Sequence, residues 1–129
     1  MKDWSLVGIV LGIIIILGIG ICEQSYLESL SRNMKEEVIE IENIVYLGDI
    51  ESSTKKLQNL ITKWEKDEKI LETMVNHQDI HKISDALIEI NSKLKNFSNS
   101  DNISSNFALL VEYIINIRKG NEFTINNVL

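Results

Sequence analysis

The chain has 129 residues, of which 13 are basic and 19 are acidic, so its formal net charge is −6 at neutral pH. This acidic balance excludes a general nucleic-acid-binding protein, because such proteins displace counterions from phosphates with a basic surface. The single cysteine excludes an internal disulfide framework and a cysteine-rich zinc site, and the absence of proline with an aromatic share of 6% argues against a β-sandwich.

The first predicted element is an apolar helix over residues 4–22. The stretch Trp4–Cys22 carries no charge and forms about 28 Å of helix, close to the hydrocarbon thickness of a lipid bilayer. Trp4 at one end and Tyr26 just past the other suit the two membrane interfaces. We expect an uncleaved anchor; a cleaved secretory signal, ending near Gly18-Ile19-Gly20, is the alternative.

The orientation of this anchor depends on a nearly balanced set of basic residues. Lys2 stands on one side of the apolar segment, and Arg32 and Lys35 stand within reach on the other. The N-terminal tail is very short, and single anchors of this kind usually leave such a tail in the cytoplasm. We therefore expect residues 1–22 to anchor the chain in the cell membrane and residues 23–129 to lie outside the cytoplasm.

Two glycines in the anchor have the spacing of a helix-association motif. Gly8 and Gly12 form a small-xxx-small pattern that lets two membrane helices approach closely, which raises the hypothesis of a homodimer through this face. Glycine is also common in membrane helices, so a chance spacing is the simpler interpretation.

Beyond the anchor, apolar residues recur at intervals of three and four, which is typical of amphipathic helices. Predicted stop signals are Gly48-Asp49, the polar run Ser98–Asn102 and Gly120. Short connections between four helices favour an antiparallel bundle. The fold class is therefore all-α, with a transmembrane helix that continues into an antiparallel four-helix bundle. Its helices are expected at about 23–47, 50–76, 79–97 and 102–119.

The second predicted helix carries two notable side chains on its apolar seam. Trp64 is the largest side chain there and is expected to fill the centre of the bundle. Glu68 takes a core position one turn later, where a carboxylate needs a partner or must stay protonated. His77 or a lysine from another helix is one candidate partner. Alternatively, the long side chain of Glu68 reaches the edge of the bundle.

The pair His77 and His81 is the strongest candidate for chemistry. The two imidazoles stand one helical turn apart, a spacing that can hold zinc if a third ligand such as Glu68, Glu72 or Asp79 is near. The glutamate that follows the first histidine in metalloproteases is absent here. The simpler interpretation is a capping or partly buried His77 and a solvent-facing His81. We therefore assign no catalytic, cofactor-binding or metal-binding residue.

Four features follow one another in this chain. They are an N-terminal anchor, a helix carrying Trp64, His77 before an acidic helix start, and a C-terminal Asn127-Val128-Leu129. This order resembles domain-of-unknown-function family 4363, small membrane-anchored proteins of low-GC Gram-positive bacteria. Family members often enter the second helix with Gly-Asp-Trp, whereas this chain has Gly48-Asp49-Ile50. The resemblance covers nearly the whole chain. It implies no enzymatic activity and an accessory role beside other small membrane proteins.

These features predict a non-enzymatic, single-pass membrane protein that serves as a helical interaction or accessory module at the cell surface. The expected partners are the lipid bilayer, through residues 4–22, and another membrane or surface protein. The alternative is a metal-dependent hydrolase that uses His77 and His81. No cofactor is expected.

Overall fold

Four α-helices make up the fold of the computed structural model. It describes the backbone of residues 2–96 and 103–128 and the side chains of residues 3–96 and 103–118. In chain order the helices are α1 (Lys2–Tyr46), α2 (Ile50–Leu71), α3 (His77–Lys95) and α4 (Ile103–Val128). The turn expected over Ser98–Asn102 lies outside the described residues, as does Phe97, the last expected apolar position of α3.

The helix α1 runs without interruption through 45 residues. No proline and no capped stop occurs between Cys22 and Leu47, so nothing ends the helix at the boundary of the apolar segment. Its N-terminal half is long and apolar enough to cross a membrane, and that apolar window is not buried against any described part of the chain. In the second half of α1, an apolar seam faces the core; it includes Leu27, Val38 and Ile41. The predicted continuation of the apolar helix into the bundle is confirmed.

The turn between α1 and α2 forms where Gly48 was expected to stop the helix. Gly48 adopts a φ of +86°, a left-handed conformation that glycine reaches without a steric penalty. Its amide donates to the carbonyl of Val45 at 3.0 Å, and the Asp49 amide donates to that of Ile44 at 3.3 Å, as in a Schellman motif. The Asp49 carboxylate then caps α2 by accepting from the amide of Ser52 at 3.1 Å.

The turn between α2 and α3 begins earlier than expected. α2 ends at Leu71 rather than near residue 76, and α3 begins at His77 rather than near residue 79. The amides of residues 73–75 donate back to the carbonyls of residues 70 and 71, which closes a tight turn. Asn76 then caps α3, since its side-chain oxygen accepts from the amide of Gln78 at 3.0 Å. An asparagine oxygen competes for backbone amides in this way and favours a helix start over a helix interior.

The last helix is longer than expected. α4 continues to Val128, whereas the sequence predicted its end at Gly120. A glycine inside a helix costs about 1 kcal/mol relative to alanine, which on its own is too little to end a helix. The side chains of the C-terminal Asn127 and Val128, and the whole of Leu129, lie outside the described residues.

The helices pack in an antiparallel ring in which α1 contacts α2 and α4, and α3 contacts the same two helices. Side-chain pairs along α1 show the direction of its neighbours. Lys63 meets Glu37 and the earlier Lys56 meets the later Glu40, so α2 runs opposite to α1. The hydroxyl of Ser31 donates to the carbonyl of Ile114 at 3.1 Å, which ties α4 to α1. The predicted all-α antiparallel bundle is confirmed.

The core consists of the apolar seams of all four helices. Trp64 is 3% exposed, and its predicted core position is confirmed. Other members with almost no exposed surface are Leu27, Ile41, Leu57, Leu71, Ile80, Ile83, Leu87, Ile90, Leu94, Phe107, Leu110 and Ile114. Leu30, Ile50, Ile61 and Val75, four expected seam residues, are only partly buried and pack against the edge of this core.

Candidate functional site

The two histidines lie at the start of α3. His77 is the first residue of the helix, directly after the capping Asn76, and His81 follows one turn later. The ring centroids are 6.5 Å apart with an angle of 29° between the planes, and both side chains are exposed. Among the described residues, no group of three or more histidine, cysteine, aspartate or glutamate side chains is arranged to hold a metal ion. The pair therefore has two nitrogen donors but no described third ligand.

A polar network links α2 to α3 beside the core. The indole N–H of Trp64 donates to the hydroxyl of Ser84 at 2.8 Å. That hydroxyl donates in turn to a carboxylate oxygen of Glu68 at 3.4 Å. The partner of Glu68 is thus Ser84, and not His77 or a lysine as the sequence suggested. The carboxylate is only half-buried, because the long side chain reaches the bundle edge, and it retains access to water there.

Sequence reasoning did not identify Ser84. A buried tryptophan needs an acceptor for its indole N–H. Ser84 directly follows the core residue Ile83 on α3. The sequence signal that could have identified it is therefore a hydroxyl next to a core position on another predicted helix. The Ser84 hydroxyl links α3 to α2, because it accepts from the Trp64 indole and donates to the Glu68 carboxylate, and both of these residues lie on α2.

A groove runs along the contact between α1 and α2, and we call it the α1–α2 groove. It consists of two adjoining clefts of about 180 and 190 Å³, which share the lining residues Glu37, Leu60 and Lys63. Trp64 and Leu60 contribute apolar floor, while Asn59 and Asp67 stand on its polar rim. Small-molecule sites usually have about 300–1,000 Å³. Each of the two clefts on its own is smaller than this range and is therefore better suited to a single side chain of a protein partner than to a cofactor.

Ion pairs bridge this groove from one helix to the other. The Lys63 ammonium lies 2.8 Å from a carboxylate oxygen of Glu37, and Lys56 pairs with Glu40. The hydrogen bond from Lys63 to Glu37, together with the negative charge of Glu37, raises the pKa of Lys63. All four side chains remain substantially exposed, and pairs of this kind contribute at most about 1 kcal/mol each to stability. These ion pairs fix the register of α1 against α2 but contribute little to the stability of the bundle.

Tyr26 joins α1 to α2 on the side of the groove that is nearer the apolar segment. Its hydroxyl donates to a carboxylate oxygen of Asp67 at 3.4 Å. Partial burial raises the pKa of the Tyr26 phenol, and the charge of Asp67 and the hydrogen bond to it raise this pKa further. The phenol thus remains protonated at neutral pH and acts as a donor that links α1 to α2.

Among the side chains that the structure describes, most of the exposed apolar ones lie on the first half of α1. Ile9, Ile13 and Ile16 each expose more than half of their side chains, as most of their apolar neighbours do. A Cβ atom added at Gly8 or Gly12 would meet no heavy atom within 4 Å. This segment presents an apolar cylinder to its surroundings, with the glycine face open. The homodimer through Gly8 and Gly12 stays a prediction.

The comparison with protein-family models identifies a family for this chain. The family DUF4363, described as a domain of unknown function, matches residues 21–128. The matched range covers the bundle portion of α1 and all of α2, α3 and α4, and begins where the exposed apolar segment ends. Neither the curated proteins nor the solved structures contain a match to this chain. Because the match covers most of the sequence, the chain belongs to the domain-of-unknown-function family DUF4363.

Proposed function

We propose that the protein is a single-pass membrane protein whose helical bundle serves, without catalysis, as an interaction or accessory module for another membrane or surface protein. The continuity of α1 carries this proposal. One helix supplies both an exposed apolar segment long enough to cross a bilayer and a full wall of the bundle core. A chain built in this way tethers a bundle to a membrane without a flexible linker.

The side-chain chemistry of the described residues supports an interaction role. The polar groups of the α1–α2 groove pair with one another across the two helices, as Lys63 does with Glu37. His77 and His81 face solvent without a described third ligand. We therefore favour a binding module over the metal-dependent hydrolase. Stoichiometric zinc in the purified protein that is lost in His77→Ala would reverse this preference.

The orientation is part of the proposal. We place the N-terminus in the cytoplasm and the bundle outside it, with the basic Lys2 on the cytoplasmic side of the apolar segment. Protease treatment of intact cells and of inverted vesicles tests this arrangement, since only the former should expose the bundle. The mass of the mature protein tests the anchor itself: loss of residues up to about Gly20 would identify a cleaved signal instead.

The α1–α2 groove is the surface that we propose for partner contact. A photo-crosslinking residue at Asn59, which is exposed on its rim, should give one discrete adduct in native membranes. The same residue at Glu112, exposed on α4, is the matched control and should give none. Equal adducts from both positions would indicate random collision, and the absence of an adduct from Asn59 would contradict the proposed surface.

A further inference from the structure

Because α1 is unbroken, the distance of each part of the bundle from the apolar segment follows from the helical rise along α1. Each residue of an α-helix advances about 1.5 Å, so Glu37 stands about 22 Å beyond Cys22 along the helix axis. Because no linker intervenes, this height is a property of the fold. It holds whichever side of the membrane the bundle occupies.

Contacts between α1 and α2 give the distance of α2 residues from Cys22 along the same axis. Lys63 lies beside Glu37 at 2.8 Å, and α2 runs back toward the apolar segment. Leu71, where α2 ends, is therefore about 12 Å closer, or about 10 Å beyond Cys22. The hydrogen bond between Tyr26 and Asp67 places α2 lower still, because Tyr26 stands only about 6 Å beyond Cys22, so Leu71 stands between about 0 and 10 Å beyond Cys22. The turn after Leu71 extends further in the same direction.

The helix α4 gives an independent measure of the same end of the bundle. A guanidinium nitrogen of Arg118 lies 3.7 Å from a carboxylate oxygen of Glu28, which stands about 9 Å beyond Cys22. The α4 backbone continues as a helix from Arg118 to Val128, about 15 Å further in the direction of the apolar segment, which brings its end to the level of Cys22 and slightly past it. Two helices on different sides of the bundle thus bring it to within about 10 Å of the expected hydrocarbon boundary.

A bilayer has about 30 Å of hydrocarbon within a total of about 40–45 Å, so each headgroup layer is about 5–8 Å thick. We propose that the turn between α2 and α3, residues 72–76, lies in the headgroup layer of the bilayer that α1 crosses, so that this end of the bundle docks on lipid. The inference rests on the proposed membrane anchoring of α1. We call this turn the basal turn.

The composition of the basal turn suits the hydrated headgroup layer of a bilayer, which lies directly above the apolar acyl chains. Glu72 and Thr73 are exposed, whereas Met74 and Val75 are half-buried, and the neighbouring Ile70 exposes 48% of its side chain. Backbone amides of the turn are already bonded within the chain, so contact with the interface leaves few unsatisfied polar groups. Methionine and isoleucine side chains can enter the boundary of the acyl chains while the acidic and hydroxyl groups stay in water.

The test uses a fluorescent probe at three heights of the full chain in phosphatidylcholine vesicles that contain a headgroup nitroxide quencher. The native Cys22, the single cysteine of the chain, carries the probe at the end of the anchor. In a Cys22→Ser background, Met74→Cys carries it in the basal turn. Leu47→Cys carries it at the opposite tip, where this apolar side chain is 84% exposed. We expect strong quenching at residues 22 and 74 and none at residue 47.

The three positions separate the possible failures. Quenching at residue 22 but not at residue 74 would overturn the basal contact and leave the anchor intact. No quenching at residue 22 would instead contradict the proposed anchoring. Quenching at both 74 and 47 would show a bundle lying flat on the membrane, which also overturns the inference. Glu72→Cys, at an exposed position, provides a second probe of the turn if Met74→Cys disturbs folding, and the same quenching is expected of it.

Discussion

Truncation of Trp64 to alanine tests the packing at the centre of the bundle. The side chain is 3% exposed, and its indole N–H donates to Ser84 at 2.8 Å. Removing a buried tryptophan costs about 3–5 kcal/mol, because transfer energy is lost and a cavity remains. For a domain of roughly 100 residues, 1 kcal/mol corresponds to about 4 °C, so we expect the Tm to fall by roughly 12–20 °C.

The assay is thermal unfolding followed by circular dichroism, with the full chain in mild detergent. Trp64→Phe keeps most of the ring volume but removes the donor to Ser84, so its loss of stability should be clearly smaller than that of the alanine variant. His81→Ala is the control, since this side chain is exposed and is expected to change the free energy of unfolding by less than about 0.5 kcal/mol. An unchanged Tm in Trp64→Ala would refute the core role of the residue.

Three further outcomes follow from the same description. Residues 23–129 without the apolar segment should be soluble and mainly helical by circular dichroism, because they retain every core residue. Gly8→Leu with Gly12→Leu should leave resistance to alkaline extraction of membranes unchanged, since the segment stays long and apolar. The Ser52 amide lowers the pKa of Asp49 below its usual 3.8, so the stability that this group contributes is present above that pH and is lost in stronger acid. Asp49→Asn should therefore show a shallower loss of Tm in acid than the parent.

Each of these outcomes has a clear opposite. A spectrum of strand or coil for residues 23–129 would contradict the self-sufficiency of the bundle. Release of the double leucine variant by alkaline extraction would contradict the membrane anchoring of α1, whereas loss of a cross-linkable dimer would support association through Gly8 and Gly12. An acid dependence of Tm in Asp49→Asn equal to that of the parent would show that this helix cap does not contribute to the pH dependence of stability.

The helices and their buried faces followed from the sequence because local periodicity determines them. The spacing of apolar residues identified Trp64 and the α3 seam through Ile83 and Leu87 as core, and Gly48 marked a turn that needs a positive φ. These predictions depend on one helix at a time. They require no knowledge of which helices are neighbours.

The polar contacts between helices depended on information that periodicity lacks. The acceptor of the Trp64 indole and the partner of Glu68 are both Ser84, which became visible only once α2 and α3 were placed side by side. Helix ends were missed for a related reason. α2 stops at Leu71 because a few backbone hydrogen bonds favour a turn and Asn76 caps the next helix, a balance of a few kcal/mol.

The continuity of α1 is the central claim, and spin labelling of residues 18–30 in vesicles tests it most directly. Nitroxides placed one by one along this stretch report their access to oxygen in lipid and to a water-soluble relaxation agent. We predict high access to oxygen at every position of residues 18–22, which face lipid, and beyond Cys22 an access that alternates with a period of 3.6 residues, with protection at the buried Leu27 and the partly buried Leu30. A loss of this periodicity between residues 22 and 26 would show a flexible junction and contradict the account.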